Sequence, residues 1–331
     1  MKIGKAARGL LLSIVSPAYN ETQNLPALYQ RLVKVLAGTP WEWEWVIVDD
    51  HSPDETFATV RQLADLDARV KGLRLARNAG SHAAIVCGVE HAAGDCCVVL
   101  ASDLQDPPEL IPALVAQWRE GFEVVWATRN QGDGNDIGWF SRLYYALMRS
   151  VVGIRDMPAQ GADFFLMDRK VADALTHFGE RNTSIFALLL WMGYRQTSVP
   201  YEKQKRLYGR SGWSLGKKIK LVIDSVVSFS YAPIRWLTIT GFIIALSGFL
   251  YALFLIGNAI LGKPPEGWSS LMIVVLVLGG VQMLMMGVLG EYLWRALDEI
   301  RRRPRYLVQE RTTNLPRAAF ERSDVELLTN K

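Results

Sequence analysis

Short apolar runs alternate with segments of helical spacing from Leu10 to about Ala127. The apolar runs are strand-like and lie at residues 11–15, 45–48, 72–75, 96–101 and 123–127. The segments between them repeat apolar residues three and four positions apart, at residues 25–36, 56–66, 82–92 and 108–117. Strands that alternate with helices in this way predict an α/β domain whose sheet is mostly parallel and covered by helices on both faces.

Two much longer apolar runs follow near the C-terminus. Residues 236–261 contain no charged side chain, and residues 271–290 contain Gln282 as their one strongly polar member. Each run is long enough to cross a hydrocarbon core of ~30 Å, although a pair of buried helices in a soluble core is the alternative. We expect two transmembrane helices, at about 236–261 and 271–294. The turn-forming residues 262–270 between them predict a helical hairpin.

The distribution of positive charge predicts how this hairpin is oriented. The net charge of the 331 residues is only +4, and basic residues flank the two apolar runs on their outer sides. They are Lys217, Lys218, Lys220 and Arg235 before the first run, and Arg295, Arg301, Arg302, Arg303 and Arg305 after the second, against Lys263 in the connection. By the positive-inside rule, both termini and the α/β domain are cytoplasmic, in a multi-pass protein of the cell inner membrane. This clustering favours an anionic membrane surface over nucleic acid as a partner.

These patterns divide the chain into four parts. We expect a cytoplasmic α/β domain at 1–212, an amphipathic juxtamembrane segment at 213–233, the two spans within 234–296 and a polar cytoplasmic tail at 297–331. No secretory signal is expected at the N-terminus, because the apolar run there is too short. Residues 139–152 have an apolar face and could lie on a bilayer or in a core, and residues 217–231 are the stronger interfacial candidate.

The segment SDLQDPPE, residues 102–109, follows a predicted buried strand. Asp103 and Gln105 offer oxygen ligands, which suit a hard cation such as Mg²⁺ or Mn²⁺ and therefore a diphosphate. The alternative is that Asp103 or Asp106 caps the helix that begins near Pro108.

Three more polar segments follow strands of the same predicted sheet. In residues 17–21 Tyr19 can cover a base and Glu21 can hold polar groups, and in residues 49–54 a carboxylate can accept from a base or a ribose hydroxyl. Residues 77–82 offer the cation Arg77 before a helix N-terminus, which attracts anions. Taken singly, these residues could be helix caps, turns or surface charges. Together with residues 102–109 they predict a nucleotide-diphosphate site at the carboxyl edge of the sheet.

The ordered motifs SIVSPAYNE, VIVDDHSPDET, RNAGSHAA and SDLQDPPE resemble the inverting family 2 glycosyltransferases with the GT-A (Rossmann-like) fold. The motifs QGADFFLMDRK, WMGYRQ and YEKQKRLYGRSGWSLGKK, with the pair of spans, resemble the polyprenyl-phosphate glycosyltransferases of dolichol-phosphate mannose synthase and bactoprenol glucosyl transferase type. The likeness extends from about residue 11 to residue 300. It implies transfer of one sugar from a nucleotide sugar, more often UDP-linked, to undecaprenyl or another polyprenyl phosphate at the cytoplasmic face. A homo-oligomer is compatible with two spans per chain.

The resemblance also implies roles for individual residues. Asp103 and Gln105 correspond to the metal pair, and Asp103, Asp163 in the QGADFF turn, and Arg206 in a mobile loop correspond to catalytic positions. The positions that correspond to nucleotide-sugar contacts are Pro17, Tyr19, Asn20, Glu21, Asp49, Asp50, Arg77, Ser102 and Ser211. Because a guanidinium fork suits phosphate oxygens, Arg129 and Arg142 are candidates for the acceptor phosphate. For Asp163 the alternative is a structural Asx turn, and for Arg142 it is a helix-surface charge.

One position departs from the commoner family pattern. Many relatives read DADLQ, whereas this chain has Ala101 in place of the first Asp, so the metal site has one carboxylate fewer. Two further functions stay open at this point: a processive polysaccharide synthase, although the QxxRW segment of such enzymes is absent, and a catalytically inactive nucleotide-sugar-binding membrane protein.

Overall fold

The computed structural model describes residues 9–129, 162–178, 184–204, 216, 230, 232–260, 267–301 and 303–315. Its strands are β1 (Leu11–Ala18), β2 (Glu42–Asp49), β3 (Val70–Leu75), β4 (Cys96–Val99), β5 (Val124–Arg129), β6 (Ala162–Asp168), β7 (Gln196–Tyr201) and β8 (Val308–Arg311). Its helices are α1 (Asn24–Leu36), α2 (Thr56–Leu66), α3 (Ser81–Glu90), α4 (Ile111–Arg119), α5 (Arg169–His177), α6 (Ile185–Trp191), α7 (Ala232–Ile260) and α8 (Trp268–Ile300).

The eight strands form one sheet in the order β7-β5-β6-β4-β1-β2-β3-β8. The pairs of β1 with β2, β1 with β4, β2 with β3, and β5 with β7 are parallel. Strand β6 runs antiparallel to both of its neighbours, β4 and β5. Its first residues therefore lie at the same edge of the sheet as the last residues of β4 and β5. Asp163, which the sequence placed in a turn, is instead the second residue of this strand.

Apolar side chains fill a layer on each face of the sheet, which confirms the expected α/β architecture. Helices α1, α2 and α4 cover one face, and α3, α5 and α6 cover the other. Leu28 of α1 and Phe57 of α2 are almost fully buried in the first layer, as are Val86 of α3 and Leu175 of α5 in the second.

Helices α7 and α8 are both long and apolar enough to cross a membrane, by length and composition. They lie antiparallel, since a Cβ at Gly241 would approach Cε of Met285 to 3.1 Å and the Tyr292 hydroxyl donates to the Ser230 carbonyl at 2.9 Å. Helix α8 continues beyond the expected end at residue 294, to Ile300. In this part of the helix Glu291 and Arg295, one turn apart, form an ion pair at 3.0 Å. The predicted helix at 139–152, for a bilayer surface or a core, lies outside the described residues, as does the interfacial candidate 217–231 apart from Ser230.

The chain after α8 does not match the expected polar tail, because much of it is folded onto the sheet. We call residues 303–315 the C-terminal strap. Within it, β8 pairs antiparallel with β3 at the edge of the sheet, and Thr312 exchanges hydrogen bonds with the backbone of Gly72, at 2.9 and 3.0 Å. A Cβ at Gly72 would come within 2.8 Å of the Thr312 side chain and 2.4 Å of Val60, so this close approach requires glycine. A polar segment can therefore be part of the folded domain when its backbone and side chains form hydrogen bonds with the edge strand of a sheet.

Candidate active site

Each of the four parallel strands β1 to β4 is followed by a loop with a residue in the left-handed region of backbone space. These residues are Asn20 (φ 59°), His51 (φ 59°), Gly80 (φ 92°) and Leu104 (φ 60°). The conformation is unremarkable for glycine and tolerated by asparagine, but it is unfavourable for leucine. Backbone strain of this kind persists where surrounding contacts enforce it, and it concentrates at functional sites. All four loops lie at the carboxyl edge, where the sequence predicted the site.

The first two loops are bonded to each other. The backbone N–H of Asn20 donates to the Ser52 hydroxyl at 3.0 Å, and that of Glu21 donates to the Thr56 hydroxyl at 2.9 Å. The Glu21 carboxylate accepts from the side-chain amide of Asn24. Beside these bonds the ring of Tyr19 is 47% exposed, so a planar group can lie against it.

Asp49 and Asp50 are buried at the end of β2 and support the neighbouring loops. Asp49 accepts from the Ser52 N–H at 2.9 Å and faces Nε of Arg74 at 3.6 Å. The two carboxylate oxygens of Asp50 accept from the N–H groups of Ala79 and Gly80, at 2.7 and 2.9 Å. Burial raises the pKa of both carboxyl groups, and these hydrogen bonds oppose the shift. Their expected contacts with a nucleotide stay a prediction.

The loop that Asp50 holds carries Arg77, whose side chain is exposed. Helix α3 begins at Ser81, directly after Gly80, so its free N–H groups lie beside this loop. A cation next to a helix N-terminus makes this part of the edge suitable for an anion.

The loop after β4 carries the candidate metal ligands. The buried Ser102 donates its hydroxyl to the Pro17 carbonyl at 3.0 Å, which ties this loop to β1. Asp103 is half-buried, and its Oδ1 accepts from the Gln105 N–H at 3.2 Å. Asp106 is buried and accepts from the Tyr201 hydroxyl at 2.6 Å. The residues that directly precede this helical turn and α4 are Pro107 and Leu110, and neither makes a side-chain cap hydrogen bond.

The acceptor-side residues lie farther along the same edge. Arg129 is the last residue of β5 and stands opposite Tyr201 of β7 in the strand register. Thr128 stands opposite Ala162, so the backbone of Asp163 is also at this edge. Arg142, Arg206 and Ser211 lie outside the described residues.

The sequence did not reveal that the loop with the candidate metal ligands is supported by the last residue of β7 and by the residues that follow it. Tyr201 holds Asp106, the ammonium of Lys203 lies 3.9 Å from the Asp106 carboxylate, and the Gln204 N–H donates to the Gln105 carbonyl at 2.9 Å. Gln204 is the last described residue before Arg206. No local pattern could have revealed this contact, because it joins residues about a hundred positions apart.

The oxygen donors of this loop fit a divalent cation that is also bound by substrate. Among the described residues no three His, Cys, Asp or Glu side chains are grouped as a protein-only metal site. Mg²⁺ commonly takes one or two carboxylates together with phosphate oxygens and water. Asp103 and Gln105 meet that requirement only if a diphosphate supplies further ligands, because Ala101 adds no carboxylate.

Comparisons with known proteins agree with the motifs. Residues 13–176 match the family described as Glycosyl transferase family 2. The chain is 39% identical over 304 residues to the uncharacterized glycosyltransferase sll0501 of Synechocystis sp., covering 90% of this chain and 95% of that protein. It is 34% identical over 307 residues to the bactoprenol glucosyl transferase of Shigella phage SfX, covering 91% and 99%.

The structure is also similar to the crystal structure of glucosyl-3-phosphoglycerate synthase from Mycobacterium tuberculosis in complex with phosphoglyceric acid. The two share 20% sequence identity over 67% of this chain and 80% of that one, with a TM-score of 0.49. The sequence relatives confirm the resemblance drawn from the motifs, and with it the GT-A class of fold. The chain therefore belongs to glycosyl transferase family 2, in the group that includes the bactoprenol glucosyl transferases.

Proposed function

We propose that this protein transfers one sugar from a nucleotide sugar to a polyprenyl phosphate, with inversion at the anomeric carbon. The observation that carries the proposal is likeness to bactoprenol glucosyl transferases over nine-tenths of the chain, including the hairpin. From the family resemblance of the motifs we propose a UDP-linked hexose as the donor and undecaprenyl phosphate as the acceptor.

The acceptor supplies its own nucleophile in this reaction. The second pKa of a phosphate monoester is about 6, so at neutral pH the group is mostly a dianion. One of its oxygens attacks the anomeric carbon, a new carbon–oxygen bond forms, and the bond to the donor diphosphate breaks with its electron pair leaving on the nucleotide. No strong base is needed, and the site has to bring together two anions and stabilise the departing charge.

The types of residue at the sheet edge support this mechanism. Tyr19 would cover the base, and Arg77 with the α3 N-terminus would contact the nucleotide from the β3 side of the edge. Asp103 and Gln105 would hold Mg²⁺ or Mn²⁺, which when bound neutralises charge on the leaving diphosphate. Arg129 would receive the acceptor phosphate and Asp163 would orient sugar hydroxyls. We also assign Arg206 and Ser211 to the donor diphosphate and Arg142 to the acceptor, on family likeness alone.

The hairpin of α7 and α8 would anchor the site beside its lipid substrate. Many of its large apolar side chains are exposed, including Phe242, Phe249 and Leu289 at 67%, 61% and 58%. Such a surface suits lipid, and the basic residues outside the apolar runs favour an inner-membrane protein with both termini cytoplasmic.

Transfer is tested with the full-length protein in detergent, Mg²⁺, a panel of labelled nucleotide sugars and undecaprenyl phosphate. We expect label in the organic phase that mild acid releases as a single sugar. The anomeric configuration, read by nuclear magnetic resonance on the intact lipid-linked product before acid treatment, should be opposite to that of the donor. Omitting the lipid is the control. A long polymer would indicate a processive synthase, nucleotide binding without product would indicate an inactive binding protein, and retained configuration would refute inversion.

A further inference from the structure

The C-terminal strap contacts the donor side of the site at both ends of one structural unit. That unit consists of the loop with Arg77, which begins after β3 at Ala76, and of α3. At its start, the Ala76 N–H donates to the Leu307 carbonyl at 2.8 Å, directly before Arg77. At its end, the Tyr306 hydroxyl donates to the carboxylate of Glu90, the last residue of α3. Two neighbouring strap residues therefore bond to the first residue of the Arg77 loop and to the last residue of the helix that follows this loop.

Tyr306 is well suited to a lasting structural contact. It is only 6% exposed, and burial raises the pKa of its hydroxyl, so the group remains a neutral hydrogen-bond donor. Asp50 holds the same loop from the opposite side, through the N–H groups of Ala79 and Gly80. The position of Arg77 is thus set by β2 on one side and by the strap on the other.

A second set of strap contacts lies at the amino end of β3, away from the site. The Gly72 N–H donates to the Thr312 hydroxyl at 2.9 Å, and the Asn314 side chain donates to the Val70 carbonyl at 2.6 Å. These contacts hold the strap on the sheet without touching the Arg77 loop. They provide a matched control, because weakening them loosens the strap at its far end.

The strap also follows directly from the second helix of the hairpin. Helix α8 ends at Ile300, and between it and Tyr306 the Arg305 guanidinium donates to the Phe178 carbonyl. The end of the hairpin is thereby joined to the donor loop by a few residues that are themselves held to the catalytic domain.

We propose that the C-terminal strap is a positioning element of the donor site, in which Tyr306 and the Leu307 carbonyl hold the Arg77 loop in the conformation that receives a nucleoside diphosphate. Tyr306 is a positioning residue that acts through Glu90 and the loop. The ligand named here rests on the proposed function, whereas the positioning itself does not.

The test compares Tyr306→Phe with Thr312→Val in the full-length protein. Hydrogen exchange read by mass spectrometry should show faster exchange at residues 76–90 in Tyr306→Phe, and at residues 70–75 in Thr312→Val. The donor KM of Tyr306→Phe should rise about fivefold with kcat within about twofold, since the lost contact holds the helix that follows the proposed donor-binding loop. Thr312→Val should leave the donor KM within about twofold of the unchanged protein.

A second pair of variants covers the case in which Tyr306→Phe does not fold. Glu90→Gln keeps an acceptor for the tyrosine and should preserve the donor KM, whereas Glu90→Leu removes it and should raise the donor KM. The inference is wrong if exchange at 76–90 is unchanged in both disruptive variants, or if the donor KM simply follows the loss of stability in Thr312→Val as well. If the unchanged protein transfers no sugar while exchange at 76–90 still responds, the proposed function fails and the positioning role stands.

Discussion

Replacing Tyr201 by Phe removes one hydroxyl group from the support of the loop that carries Asp103. The ring of Tyr201 is 4% exposed and Asp106 is 2% exposed, so water has little access to their 2.6 Å hydrogen bond. After the substitution, the Asp106 carboxylate keeps the ammonium of Lys203 at 3.9 Å but loses its close neutral donor. The apolar packing of the ring is retained, which confines the change to one hydrogen bond.

The size of the effect follows from the balance of strain and support in this loop. A hydrogen bond to a charged group contributes about 1.5–3 kcal/mol. Holding Leu104 in the left-handed region costs about 1–2 kcal/mol, so the two quantities are similar. The bonds from Ser102 to Pro17 and from Gln204 to Gln105 remain, and we take the lower figure. Since about 1.4 kcal/mol is a factor of ten, kcat/KM should fall about tenfold.

Tyr29→Phe is the matched control for this experiment. The Tyr29 hydroxyl donates to the Asp67 carboxylate at 2.9 Å, between α1 and the turn that precedes β3 at the opposite edge of the sheet. Transfer rates, Mg²⁺ titrations of activity, Mn²⁺ binding by electron paramagnetic resonance and unfolding by urea are measured for both variants. Tyr201→Phe should weaken the binding of the metal ion and of the donor, whereas Tyr29→Phe should change only the free energy of unfolding. Equal activity in the two variants at equal stability would refute the assigned role of Tyr201.

Three further predictions concern the same domain. Asp103→Asn should abolish transfer while the far-ultraviolet circular dichroism stays unchanged, and full activity would overturn the metal assignment. Although burial alone would raise it, hydrogen bonds from Lys71, Ser13 and the Ala93 N–H hold the pKa of Glu44 below its ordinary value. The ionised Glu44 therefore stabilises the fold above its unfolded pKa, and this stabilisation is lost as the pH falls through its folded pKa. Glu44→Gln should flatten the decline in unfolding free energy between about pH 5 and 3. An equally steep decline in the variant would contradict this. Gly80→Ala should cost about 1–3 kcal/mol through its backbone conformation (φ 92°, ψ 157°) alone, because among the described residues no atom lies within 4 Å of the added Cβ, and unchanged stability would show that the loop adapts.

Local pattern was sufficient for the helices that cover the first half of the sheet. Helix α2 coincides with the predicted residues 56–66, because its apolar spacing matches one buried face. Strands β1 and β2 were predicted too short, since polar residues interrupt their apolar runs, whereas β4 was predicted too long. Ser16 continues β1 because its hydroxyl accepts from the Trp45 indole at 2.9 Å. Glu44 is buried in β2 because Ser13 and Lys71 bond to it. Partners that lie far away in the sequence decide whether such residues can be buried.

The strand-end residues of the candidate site were predicted from local pattern, whereas the contacts that support them were missed because they join distant parts of the sequence. Strand ends share an edge, so Asp103, Asp50 and Arg77 could be placed together from the sequence. The strap and the Tyr201 contact could not, because β8 pairs with a strand more than 230 positions away and Tyr201 bonds to a residue 95 positions away. The polar character of residues 303–315 predicted exposure to solvent, whereas these polar groups can also form hydrogen bonds with a free strand edge.

The order of strands in the sheet, rather than their order in the chain, arranges the groups that the proposed reaction needs. Neighbouring strands lie about 4.8 Å apart, so the strand order β1-β4-β6-β5 along the edge advances by about one substrate group per strand. Tyr19 after β1 would meet the base, Asp103 after β4 the diphosphate, Asp163 on β6 the sugar and Arg129 on β5 the acceptor phosphate. Strand β6 can take part only because it runs antiparallel, which brings its first residues rather than its last to this edge. Inversion requires the acceptor oxygen and the leaving diphosphate on opposite sides of the anomeric carbon, and β4, which precedes Asp103, and β5, which ends at Arg129, lie on opposite sides of β6.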